Sequence, residues 1–203
     1  MSARTAVRRA LVALGLLLLC AISILRVARP PSAVAVTAPD TVFSAARAMR
    51  HVEQIAQRPH PMGTADHDRV REYIVGQLSA LGLQPQIQQT TAIGTRYRQA
   101  GRVQNILARL AGSDPNGKAV LIVAHYDGVE AGPAASDDGA GSAALLETLR
   151  ALRASKRPLA HDVIALITDG EEAGLLGSAA FVREQPWAKD VGVVLNFEAR
   201  GTS

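Results

Sequence analysis

The sequence predicts an α/β domain with a mostly parallel, mixed sheet between two layers of helices, preceded by an N-terminal membrane helix. Three observations carry this. Apolar runs of strand length at 119–124, 162–168 and 191–195 alternate with segments of helical periodicity, which implies parallel strand pairs joined by right-handed crossovers, with helices on both faces. A charge-free run from Ala10 to Leu25 lies between arginines near the N-terminus. Acids and one histidine recur along the second half as His125-Tyr126-Asp127, Ser136-Asp137-Asp138-Gly139, Asp169-Gly170-Glu171-Glu172 and Asn196-Phe197-Glu198.

The first element is the apolar run. Its sixteen residues are short for a membrane span, though arginines at both ends extend its reach by snorkelling. Residues 1–29 are read as an anchor, with a cleaved signal as the alternative; Ala33-Val34-Ala35 and Ala35-Val36-Thr37-Ala38 offer small-residue sites, but far from the run. More positive charge precedes the span than follows it, which favours a single-pass anchor with the domain on the extracytoplasmic side; cleavage would instead give a secreted or periplasmic protein. Residues 30–39, rich in Pro, Ala and Val, read as a linker, and 40–203 as the folded domain.

Within the domain, Asp40 or Thr41 is expected to cap a helix running to about Gln57, with Phe43, Ala46, Met49 and Val52 on one face. Arg58 to Gly63 breaks it. Thr64 then caps a second helix, whose Val70, Tyr73, Ile74, Gln77, Leu78 and Leu81 form an apolar stripe that Gly82 ends. Gln84 to Thr91 reads as an exposed strand and Val103 to Leu110 as a second. The turn at 112–117 leads into the buried strand that ends at His125. A helix over 141–155, a strand over 162–168, a short helix over 175–184 and a strand over 191–195 complete the order.

Composition narrows the function. The net charge of +4 comes from the first thirty residues, which hold five arginines and no acid; from Pro31 onward 17 basic residues face 18 acidic ones. No basic stripe with interleaved aromatics is present, so nucleic acid is not an expected partner. The single cysteine, Cys20, lies in the apolar run, which leaves no intrachain disulfide and no thiolate metal site.

In open α/β sheets, ligands bind beyond the carboxyl ends of the strands. His125, the Glu171-Glu172 pair and Glu198 all fall just past predicted strand ends. Each alone has an ordinary reading: a satisfied strand-end histidine, helix-start aspartates at 137 and 138, a solvated glutamate pair. Together they offer the ligands of a hydrolytic zinc site. Asp127 can accept the second ring N–H of His125, one aspartate of the 137–138 pair can bridge two metals, and neighbouring Glu171 and Glu172 diverge, so that one ligates while the other serves as base.

The motifs HYD, SDDGAG, DGEEAGLLGS and NFEARG resemble those of metallopeptidase family twenty-eight, the di-zinc aminopeptidases and carboxypeptidases of clan MH. The similarity runs from about Arg58 to the end of the chain. The segment Arg58 to Thr64, the stretch Phe181 through Ala188 and the glutamate at 198 look closest to the endoplasmic-reticulum and vacuolar membrane metallopeptidases and their bacterial relatives. The resemblance implies a zinc-exopeptidase-like three-layer fold, a peptide substrate and two zinc ions. It implies that His125 and Glu172 hold one ion, that Asp137 bridges both and that Glu198 holds the second. Glu171 would be the general base, Asp127 would orient His125, and Asp138 would support the loop. Many members add a further histidine from beyond this region; His51, His60, His67 and His161 stand in the wrong contexts to replace it. The domain is therefore expected to be incomplete at its C-terminus. The implied activity is exopeptidase, with aminopeptidase preferred over carboxypeptidase. The alternatives are an inactive scaffold of the same fold and a glutaminyl-cyclase-like acyltransferase, which normally keeps one zinc.

Overall fold

The computed structural model describes residues 3–27, 32–94 and 98–199. Arg29, Pro30 and Pro31 of the expected anchor and linker, and residues 200–203 of the expected domain, lie outside them. The chain divides into two units, Met1–Ala33 and Val34–Ser203.

The first unit is one helix, α1 (Ala3–Val27). Its Val7–Val27 portion, 21 residues, is long and apolar enough to cross a membrane. At 1.5 Å per residue it spans about 31 Å, close to the hydrocarbon thickness of a bilayer. The span exceeds the expected sixteen residues because the helix carries through Arg8, Arg9 and Arg26, whose aliphatic stems can lie along apolar surroundings.

In the second unit, the stretch expected to be a free linker is hydrogen-bonded to the domain. The Ser44 hydroxyl is 2.9 Å from both Val34 O and Ala35 O, and Arg47 Nη1 donates to Val36 O and Ala38 O, each at 2.8 Å. Ser44, rather than Asp40 or Thr41, caps α2 (Ala45–Ile55), its hydroxyl accepting the Arg47 N–H. The buried positions are Ala48 and Ile55, whereas Phe43 and Met49 of the expected face are exposed. The later start has a physical cause: the Ser44 N–H donates to the buried Glu147 carboxylate at 2.8 Å, which fixes both the start of the helix and its rotation. The second helix, α3 (Ala65–Ala80), follows the expectation. Thr64 caps it by accepting the His67 N–H, and His67, Val70, Ile74 and Leu78 are buried.

Five strands form one sheet: β1 (Gln86–Ile93), β2 (Ala100–Leu110), β3 (Ala119–His125), β4 (Val163–Thr168) and β5 (Val191–Asn196), in the order β1-β2-β4-β3-β5. β3 runs parallel to β4 and β5, while β2 is antiparallel to β1 and β4. The crossovers between the parallel strands carry α4 (Ala140–Ser155) and α5 (Leu176–Glu184). Alternate strand residues point to opposite faces. Ile106, Ile122, Ala124, Ala165 and Ile167 meet Ile55, Val70, Ile74, Leu78, Leu145 and Leu149 of α2, α3 and α4. On the other face Leu107, Leu121, Val123, Ile164 and Leu166 meet Phe181 of α5 and Trp187. The fold is thus the expected three-layer sandwich with a mixed sheet. In β5, Val193, Val194 and Leu195 are about half exposed despite the apolar run, because β5 is the edge strand among the described residues.

The register sets up the site. His125 pairs with Thr168 across β3 and β4, and Val123 pairs with Asn196 across β3 and β5. The three parallel strands therefore end together, and the residues after them emerge at one edge.

Candidate metal centre

His125 closes β3 with its ring buried. Its Nδ1 lies 2.9 Å from the carbonyl oxygen of Asp127, a group that can only accept. The neutral ring therefore carries its proton on Nδ1 and leaves the Nε2 lone pair bare. Nε2 faces Asp137 Oδ1 at 3.0 Å, Glu198 Oε1 at 3.7 Å and Glu171 Oε2 at 3.9 Å. One donor atom from each of His125, Asp137 and Glu198 lies within 4.8 Å of the other two. Asp137 and Glu198 are exposed, so this side of the cluster is open. Glu172 stands outside that group but within electrostatic range of Asp137 and His125. His51, His60, His67 and His161 are not part of the group.

The two remaining aspartates work on the backbone. The expectation for Asp127 was that its carboxylate takes the His125 ring N–H. The carbonyl of Asp127 does so instead, and the carboxylate oxygen is 3.5 Å away. The carboxylate, fully buried, accepts the Glu171 N–H at 3.0 Å on one oxygen and the Glu172 N–H at 3.1 Å on the other. A turn beginning with two glutamates is thereby held beside His125, with both backbone donors spent on one anion. Asp138 supports its loop as expected, accepting the His125 N–H at 3.1 Å and the Gly141 N–H at 3.0 Å. Only glycine fits at 141, since a Cβ there would lie 2.3 Å from Asp138 Oδ1.

So many acids around one imidazole perturb each other. Burial raises the carboxyl pKa of Glu171, and Glu198, Asp127 and Asp137 add to the rise against the pull of His125. Burial, followed by Asp137, raises Glu172. Asp138 is pushed up to about 7, chiefly by burial. Burial alone would lower His125, but the Asp127, Asp138 and Glu171 carboxylates outweigh it and bring the imidazole to about 10. One imidazolium does not balance the acids gathered around it. With its ring proton displaced, Nε2 together with the converging carboxylate oxygens fits a divalent zinc-like cation.

Fold and sequence agree on the class. Among solved structures, the chain is similar to a glutaminyl cyclase from Porphyromonas gingivalis, with a TM-score of 0.65 and 23% identity over 77% of this chain and 59% of that one. It is similar also to a Zn-dependent exopeptidase from Parabacteroides distasonis, with a TM-score of 0.59 and 22% identity over 71% of this chain and 57% of that one. The domain is therefore a zinc-exopeptidase-like α/β fold. Residues 105–203 match the model of Peptidase family M28, the family that the sequence motifs resemble. It is 34% identical over 158 residues to a vacuolar membrane protease of Candida dubliniensis, covering 74% of this chain and 17% of the relative. Over 99 residues it is 38% identical to endoplasmic reticulum metallopeptidase 1 of Rattus norvegicus, covering 49% of this chain and 11% of the relative. The chain thus spans less than a fifth of the length of these curated relatives.

Proposed function

We propose that the domain is a zinc-dependent exopeptidase of the aminopeptidase type, anchored by α1 with its site on the extracytoplasmic side of a membrane. The convergence of His125, Glu171 and Glu198, at the ends of three parallel strands, with Asp137 from the loop before α4 carries this reading. Membrane proteases among the relatives and the apolar α1 support the anchored form. His125 and Glu172 would hold one ion, Glu198 a second, and Asp137 would be shared. When bound, zinc polarises the scissile carbonyl and makes a water easier to deprotonate.

The chain's own residues do the rest. The Asp127 carbonyl fixes the His125 tautomer that presents Nε2, and the Asp127 carboxylate holds Glu171 and Glu172 in place. Glu171, with its pKa raised by burial and neighbouring acids, takes a proton from the attacking water and passes it to the leaving amine. Glutaminyl cyclases share the fold, but fold likeness alone does not assign their reaction.

The Glu171→Gln variant tests the assignment. It should retain the metal content of the wild type while hydrolysis of aminoacyl substrates falls by about 10²-fold or more. Undiminished turnover in that variant would sink the role given to Glu171.

A further inference from the structure

We infer that His67, on the first turn of α3, is a positioning residue for the Glu171-Glu172 turn, acting through Asp169; the inference rests on the metal centre proposed above. His67 is buried, and its Nε2 lies 2.9 Å from Asp169 Oδ1. Its ring stacks on Tyr126, the residue after His125, with centroids 4.6 Å apart and planes 16° apart. Asp169 is the first residue after β4 and stands two before Glu171. It too is buried, and both carboxylate oxygens and its N–H are engaged. Oδ2 accepts the Gln104 N–H at 2.8 Å, and its own N–H donates to Asn105 Oδ1 at 3.0 Å. Asn105 Nδ2 in turn donates to Gly177 O at 2.8 Å, and the Tyr126 hydroxyl donates to Gln104 O at 3.0 Å.

The glutamate turn is thus anchored at its start by Asp169, in its middle by Asp127 and at its end by Asn105. His67 is the side chain that ties the first anchor to the helical layer. The ordinary alternative is a core histidine whose hydrogen bond merely fills space. Geometry favours positioning, because among the described residues His67 is the donor to Asp169 Oδ1, and a buried carboxylate oxygen left bare costs enough to make the aspartate turn or draw in water. Either movement shifts the backbone that carries Glu171 and Glu172. Groups that orient metal-binding side chains in this way contribute about 10–100-fold to metal affinity.

The test compares His67→Leu, which keeps an apolar body against Tyr126 but loses the donor, with His67→Gln, whose amide nitrogen has about the reach of Nε2. Asp169→Asn repeats the challenge from the other side. Two readouts are taken on the full chain: amide exchange at Glu171 and Glu172 without metal, and Co²⁺ affinity from its visible absorption. His67→Leu and Asp169→Asn should speed exchange at both amides and weaken Co²⁺ binding about 10–100-fold, while His67→Gln stays close to the wild type. Wild-type exchange in His67→Leu, or equal losses in the Leu and Gln variants, would overturn the inference. If the wild type binds no Co²⁺, the proposed metal centre fails, and the metal-free exchange still decides the role of His67.

Discussion

Asp127 shows how one residue can hold several groups of the candidate site at once. Its carbonyl settles which nitrogen of His125 is bare, and its two carboxylate oxygens take the N–H groups of both glutamates. His125 itself makes a pH prediction. In the metal-free protein its pKa of about 10 lies above the unfolded value of 6.5. The stabilisation from the charged ring is therefore fully present below about 6.5 and is lost as pH rises through about 10. Below that upper value a metal must displace the ring proton. At pH 8, calorimetry in buffers of different ionisation enthalpy should record about one proton released per ion bound at His125, and none in His125→Ala. Proton uptake, or none in the wild type, would contradict the imidazole's place among the carboxylates. The proximity of these residues was legible in the sequence, since His125, Glu171, Glu172 and Glu198 stand just past strand ends and Asp137 in the loop that opens α4. The division of labour at Asp127 was not, because its partners lie 44 and 45 residues further along the chain and only the sheet register brings them close.

Among the elements, α2 is held by a buried ion cluster and not by a broad apolar face. Glu147 of α4, with no exposed side-chain surface, accepts the Ser44 N–H, Arg47 Nε at 3.0 Å, and Arg150 Nε at 2.6 Å. Both arginines also bind carbonyls in the stretch from Val36 to Val42, so this cluster straps that stretch to the helical layer. Burial would raise the Glu147 pKa, but hydrogen bonds from Arg150, Ser44 and Arg47 outweigh it and hold it below the usual value. Its contribution is present above pH 4.5 and lost as pH falls through the lowered value. Glu147→Ala should lower unfolding stability by about 3 kcal/mol, since it strands two largely buried guanidinium groups; urea unfolding at neutral pH measures this. A loss below the level of an ordinary surface substitution would remove the cluster from its role. Thr64 was a readable cap because it directly follows the break from Arg58 to Gly63 and precedes the apolar stripe that starts at Val70. Ser44 was hidden by better-looking candidates at Asp40 and Thr41, and its advantage comes from Glu147, 103 residues away.

At the scale of the molecule, the order of strands and helices was readable because three apolar runs alternate with helical stripes, and that alternation admits few topologies. The placement of β3 between β4 and β5, which makes His125 central to the three strand ends, follows from the crossovers. The exposure of β5 was not readable, since an apolar run says what a strand can bury and not what lies beside it. This sheet edge gathers one imidazole and several carboxylates into what we propose is a cation site. Titrating the metal-free chain with Zn²⁺ by calorimetry, beside His125→Ala and Asp137→Ala, tests it most directly. Binding should be saturable in the wild type and severely weakened by either substitution. Binding absent from the wild type, or unchanged by both substitutions, would contradict it.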